Sequence, residues 1–150
     1  MILIIGYGNT LRGDDGVGCH IADCLSESLT NPDVEILSRH QLTPEMVEPI
    51  SRADLVIFVD ADSEGMPGEY KSYRIVPAGD MSSFTHQTNP ASLLAASKEL
   101  YGTYPDAMMF SVVGNCFDYG EVLSTAVANA VPQVIRKIER LVEAEMTSHA

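Results

Sequence analysis

The sequence predicts an α/β protein: a single three-layer α/β/α sandwich on a mostly parallel, mixed five-stranded sheet. Three observations predict it. Short apolar runs rich in β-branched residues alternate with segments of helical period, the pattern of strands joined by crossover helices. The run from Leu55 to Val59 is apolar without interruption, as a central strand covered on both faces requires. The turn-forming string Gly65-Met66-Pro67-Gly68 marks a hairpin-like reversal, which adds one antiparallel partner and makes the sheet mixed. At 150 residues, 45% of them hydrophobic, the chain can bury a core without disulfide staples, and no repeat, low-complexity tract or linker divides it. Residues 1–150 are expected to form one domain, with about 146–150 as a frayed tail.

The five strands are expected at Ile2 to Ile5, Val34 to Leu37, Leu55 to Val59, Tyr70 to Val76 and Met108 to Val113. The first helix should run from about Asp15 to Leu29, because Val17, Ile21, Cys24, Leu25 and Leu29 recur at core spacing and Asn31-Pro32 follows. A short helix is expected from Pro44 to Ile50, capped by Thr43. The next covers Pro90 to Tyr101, with Thr88 or Asn89 as cap, Pro90 in the first turn and Gly102 beyond the end. The last spans about Thr125 to Glu145, with Val127, Ala130, Val134, Ile138 and Leu141 as its apolar stripe; Pro132 should kink it or delay its start.

Charge and cysteine content remove several function classes. With 21 acidic against 9 basic residues, a net of −12, the chain lacks the clustered Lys and Arg that phosphate contacts need, so nucleic acid is not an expected partner. Cys19, Cys24 and Cys116 form no CxxC and are odd in number, which fits a reduced, cytoplasmic protein better than a disulfide framework. No basic n-region precedes a long apolar stretch, so neither a signal peptide nor a membrane span is expected.

The most informative segment follows the first strand. Gly6-x-Gly8 opens like a dinucleotide fingerprint, but the third glycine is replaced by Leu11, and the helix starts with Asp14-Asp15. A phosphate docks at a helix start because N–H groups and the positive dipole end face it; two carboxylates there repel it and suit a cation. A nucleotide- or flavin-binding module is therefore disfavoured.

In an open α/β sheet, sites lie outside the carboxyl ends of the strands. Three loops there carry chemistry: Asp14-Asp15, Asp60-Ala61-Asp62 and Thr85-His86-Gln87-Thr88. Two carboxylates and an imidazole suit a divalent transition metal such as nickel or zinc, without choosing between them. Each residue also has a plainer use. An aspartate at a helix start interacts with the dipole, and Asp14 is the better candidate for that, leaving Asp15 for a site. Asp60 could bind its own loop amides as an Asx-turn, but Asp60-x-Asp62 lets one residue do each job. His86 alone could face solvent or cap a helix. His40 could be a fourth ligand or touch substrate, Arg12 and Arg39 are expected as salt-bridge partners, and His20 and His149 have no assigned role. Cys116 suits a small apolar position better than a thiol nucleophile. No Gly-x-Ser-x-Gly elbow occurs, which argues against a serine hydrolase.

The string GYGNTLRGDDGVG resembles the opening motif of the hydrogenase maturation proteases, endopeptidases that trim the C-terminus of the large subunit of [NiFe] hydrogenases. The His40-Gln41-Leu42-Thr43-Pro44-Glu45 loop and the Gly120-Glu121-Val122-Leu123-Ser124 segment extend the likeness over nearly the whole chain; Val122 departs from it, since the family often has glycine there. The resemblance implies that Asp15, Asp60 and His86 are the metal ligands and the catalytic trio. It implies nickel, supplied by the substrate, with zinc or cadmium able to replace it in a crystal. The implied partner is the nickel-loaded precursor of a [NiFe]-hydrogenase large subunit, from which a short C-terminal peptide is removed. Two rival readings use the same residues: an aspartic dyad of Asp15 and Asp60, and a nickel-binding or metal-sensing chaperone that binds the precursor without cutting it.

Overall fold

The computed structural model describes residues 1–79 and 88–148. Strand β1 (Ile2–Tyr7) leads through a 3-10 turn (Gly13–Gly16) into helix α1 (Val17–Ser28). Then come β2 (Val34–Arg39), a 3-10 turn (Pro44–Met46) continuing as α2 (Val47–Arg52), β3 (Leu55–Asp62) and β4 (Tyr70–Arg74). Helix α3 (Pro90–Tyr101), β5 (Asp106–Val113) and α4 (Thr125–Ser148) complete the order.

The sheet is five-stranded in the order β2-β1-β3-β5-β4, parallel throughout except that β4 runs antiparallel to β5. Alternation of side chains along each strand splits the core in two. Ile2, Ile4, Leu55, Ile57, Val59, Phe110 and Val112 pack against α1 and α4. Leu3, Ile5, Val56, Phe58 and Met109 face the layer of α2 and α3. The fold is the expected mixed five-stranded α/β sandwich.

Helix α1 lies unusually close to the sheet. A Cβ on Gly6 would sit 2.1 Å from the Gly18 carbonyl oxygen, and one on Gly18 would sit 2.3 Å from that of Val59. The close helix–strand approach that a dinucleotide fingerprint secures with its third glycine is secured here by this pair instead.

Several boundaries differ from expectation for physical reasons. The first helix begins as a 3-10 turn and becomes α-helical only at Val17. Thr43 does not cap the next helix with its side chain; its hydroxyl donates to Glu45 Oε2 at 2.8 Å. At α3 the choice of cap is resolved in favour of Asn89, which forms a capping box with Ser92, and Gly102 closes the helix at φ 75°. Helix α4 starts at Thr125 and continues through Pro132, and it stays helical to Ser148, into the stretch expected to fray. Strands β1, β2 and β3 extend past their last apolar residue to Tyr7, Arg39 and Asp62. No helix among the described residues is long and apolar enough to cross a membrane.

Candidate active site

In the strand order β2-β1-β3 the chain first moves outward from β1 and then returns past it, so a crevice opens above the carboxyl ends of β1 and β3. A cleft of about 490 Å³ occupies that place. Tyr7 and Gly8 from the end of β1, Asp15 from the following turn, Asp60 from β3 and Thr88 just before α3 line it. The opposite wall is the loop from His40 to Pro44. That loop is held beside β1 because Gly8 N–H donates to the Arg39 carbonyl at 3.1 Å. Gly8 itself has φ 140°, and a Cβ there would lie 2.1 Å from the Asp15 carbonyl oxygen, so the turn that presents Asp15 requires glycine.

Asp14 and Asp15 diverge although they are neighbours. Asp14 is fully buried. Its carboxylate accepts N–H groups from Asn115 (2.7 Å), Cys116 (2.9 Å) and Ser124 (2.7 Å), tying the 3-10 turn to the loop that leads into α4. Burial pushes its pKa up, but the Ser124, Asn115 and Cys116 amides outweigh that and hold the carboxyl below the usual range. Its role is structural, as expected, but it serves this loop junction rather than the dipole of α1. Asp15 instead turns to the cleft, where its Oδ2 accepts the Asn9 N–H at 2.7 Å.

Asp60 is partly buried, with Oδ1 accepting the N–H of Ala61 at 2.7 Å. Burial pushes its carboxyl up, the Ala61 amide opposes this, the charge of Asp15 adds to it, and the Tyr7 hydroxyl opposes it again; the balance lies at about 6. The Tyr7 phenol, raised first by burial and then by the charge of Asp60, stays a neutral hydroxyl. Asp62, two residues on, has the plainer structural role. Its Oδ1 accepts the Glu64 N–H at 3.0 Å and its Oδ2 pairs with Lys71 at 3.2 Å.

Of the residues singled out by sequence, Asp15 and Asp60 meet in one cleft and His40 joins them. His86, with Thr85 and Gln87, lies outside the described residues, as does His149. Among the described residues no three His, Cys, Asp or Glu side chains are gathered to hold a metal. Cys116 is exposed rather than buried, and its thiol donates to Asp118 Oδ2 at 3.6 Å. Arg12 and Arg39 are corrected: among the described residues they donate to the carbonyls of Phe117 (3.4 Å) and Ser38 (2.9 Å), while the ion pairs involve Arg52, Lys71, Arg74 and the N-terminus. Sequence reasoning missed Tyr7, whose signal was a polar-tipped residue ending an otherwise apolar strand, whereas Thr88 was named within the Thr85-His86-Gln87-Thr88 loop and does line the cleft.

Comparison with known proteins bears on the same features. The chain is similar to a Methanocaldococcus jannaschii protein assigned as a hydrogenase maturation protease, 27% identical over 145 residues, spanning 91% of this chain and 93% of the relative. Its fold superposes on the [NiFe] hydrogenase maturation protease HycI from Thermococcus kodakarensis with a TM-score of 0.76 at 27% identity, covering 95% of this chain and 92% of that one. In sequence and in fold the chain is similar to the hydrogenase maturation proteases. Its solved relatives are endopeptidases, and the chain is accordingly a hydrolase with a role in hydrogenase maturation. The hydrogenase maturating endopeptidase HybD from E. coli has the same fold, with a TM-score of 0.78 at 22% identity over 96% of this chain and 93% of that one. Azotobacter vinelandii HoxM, a hydrogenase expression/formation protein, is 32% identical over 114 residues, and the match spans 72% of this chain but 55% of HoxM. No family model matches the chain.

Proposed function

We propose that this protein removes a short C-terminal peptide from the nickel-loaded precursor of a [NiFe]-hydrogenase large subunit, with Asp15, Asp60 and His86 completing the coordination of the substrate's metal. The observation that carries the reading is the pairing of two carboxylates in one cleft, where Asp60 is disfavoured as an anion by burial and by the charge of Asp15. Such a pair gains most from an incoming cation, which removes both penalties at once. His86 is assigned by the family resemblance.

Within this reading the nickel belongs to the substrate and its presence licenses cutting. A metal so held polarises the scissile carbonyl or activates water. The protein's own residues grip the metal, and the walls of the cleft hold the peptide beside it. The reaction is hydrolysis: water adds to the carbonyl carbon, the C–N bond breaks, and the released peptide leaves with a new amino terminus.

Purified protein incubated with nickel-loaded precursor should shorten it at the C-terminus by mass spectrometry, and chelator or a nickel-free precursor should prevent this. Unchanged mass with retained complex formation would favour the non-cleaving chaperone. Efficient cutting of the nickel-free precursor would remove the metal checkpoint.

A further inference from the structure

The register of the sheet puts a residue of β1 beside Asp60. Gly6 pairs with Val59 in the parallel β1–β3 ladder, so the next residues, Tyr7 and Asp60, stand abreast at the carboxyl rim. Leu3 and Ile5 in β1 and Val56 and Phe58 in β3 face the α2/α3 layer, and alternation sends Tyr7 and Asp60 to that same side. Both side chains line the cleft. Across the strand pair the two groups are close enough for each to shift the other's proton affinity. Among the described residues the Asp60 carboxylate accepts the Ala61 N–H, which belongs to its own strand and takes Oδ1.

A second donor arriving from another direction fixes the plane of a carboxylate that one donor leaves free to rotate. We propose that Tyr7 is a positioning residue, whose phenol hydroxyl orients the Asp60 carboxylate for the metal carried by the substrate. This rests on the assignment of Asp60 to metal recognition. Tyr7 suits that role because its side chain packs against the α2/α3 core and also lines the cleft, so its hydroxyl is held by packing.

Tyr7→Phe keeps the ring and removes the donor. Orienting partners of metal ligands typically matter by about ten- to a hundredfold in affinity or activity. Processing of nickel-loaded precursor by the Tyr7→Phe protein should fall in kcat by about tenfold, with KM changed less than about twofold. Cadmium ion alone, titrated calorimetrically into the full chain without precursor, should bind about tenfold more weakly. The companion measurement is the double variant with Asp60→Asn. If Tyr7 acts through Asp60, adding Tyr7→Phe to Asp60→Asn should leave cadmium affinity unchanged, whereas independent losses would add. Wild-type kcat in Tyr7→Phe, a rise in KM alone, or additive losses in the cycle would each overturn the proposal. Full activity of Asp60→Asn would instead overturn the site assignment itself, so the two failures are distinguishable.

Discussion

Asp14 and Asp60 are both carboxylates at the carboxyl end of the sheet, yet their surroundings are opposite. Asp14 is wholly buried and surrounded by amides from Asn115, Cys116 and Ser124, so its ionised form is favoured and its pKa falls. Asp60 lies in an open cleft with the Ala61 amide and the Tyr7 hydroxyl to oppose burial and the charge of Asp15, and its pKa rises to about 6. The difference separates two uses of one side chain. A carboxylate whose lone pairs are taken by the protein stabilises the fold, whereas one left short of donors near a second carboxylate is prepared for an external cation.

The sharpest way to break the comparison is to remove the cleft group. Asp60→Asn, which keeps the shape and the Ala61 bond, should lower processing by on the order of a thousandfold or more, and His86→Ala should do the same. The fold should survive in Asp60→Asn, with a melting temperature at neutral pH no lower than that of the parent. Mass spectrometry of the precursor and thermal melts on the same samples check both halves. Near-normal processing with lowered stability would place Asp60 in the same class as Asp14.

The reverse holds for the buried group. Asp14→Ala leaves three amides without their acceptor and empties a buried site, for which a loss of about 3 kcal/mol is expected. For a chain of this length that is a fall in melting temperature of about 10 °C. Hydrogen exchange should localise the loosening to residues 114–124, where Asp14 makes its contacts. An unchanged melt would mean that those hydrogen bonds are replaced by water at little cost.

How much of this was legible in the sequence follows from the same chemistry. The interior of each strand was readable because apolar periodicity is a local property: Leu55 to Val59 could only be a covered central strand, and its partners in both layers followed. The strand ends were not, since Tyr7, Arg39 and Asp60 are the polar residues at which an apolar run stops, yet the ladders continue through them. The rim where the pattern fails is the rim where the cleft lies, as expected if function overrides local preference there. His40 was undervalued for a non-local reason: nothing in the residues of β2 says that it pairs with β1, and only that neighbourhood brings the His40–Pro44 loop to Asp15. Asp14 and Asp15 show the limit most clearly, because two identical side chains in sequence are separated by partners more than a hundred residues away. His86 was singled out by the expected place of its loop at that rim, and its assignment as a ligand came from family likeness.

The smallest expected effect concerns pH and tests the comparison without touching catalysis. A carboxyl whose pKa rises on folding binds its proton more tightly in the folded state, so its contribution destabilises the fold above the folded pKa and is relieved as pH falls through it. For Asp60 the penalty is fully present above about 6 and disappears toward the ordinary aspartate value of 3.8. It amounts to on the order of 2 kcal/mol at neutral pH. Asp14, with its pKa lowered, works in the other direction: its stabilisation is present above 3.8 and is lost as pH falls through its depressed value. Asp60→Asn should therefore melt a few degrees above the parent at pH 7.5, and the gap should narrow steadily to near zero at about pH 4, where the parent's Asp60 is also neutral. Melting curves of both proteins at half-unit pH intervals, without added metal, measure that gap directly. A gap independent of pH would mean that Asn stabilises by packing and that Asp60 carries no charge penalty, leaving the cleft without the unfavourable anion that the proposed cation site depends on.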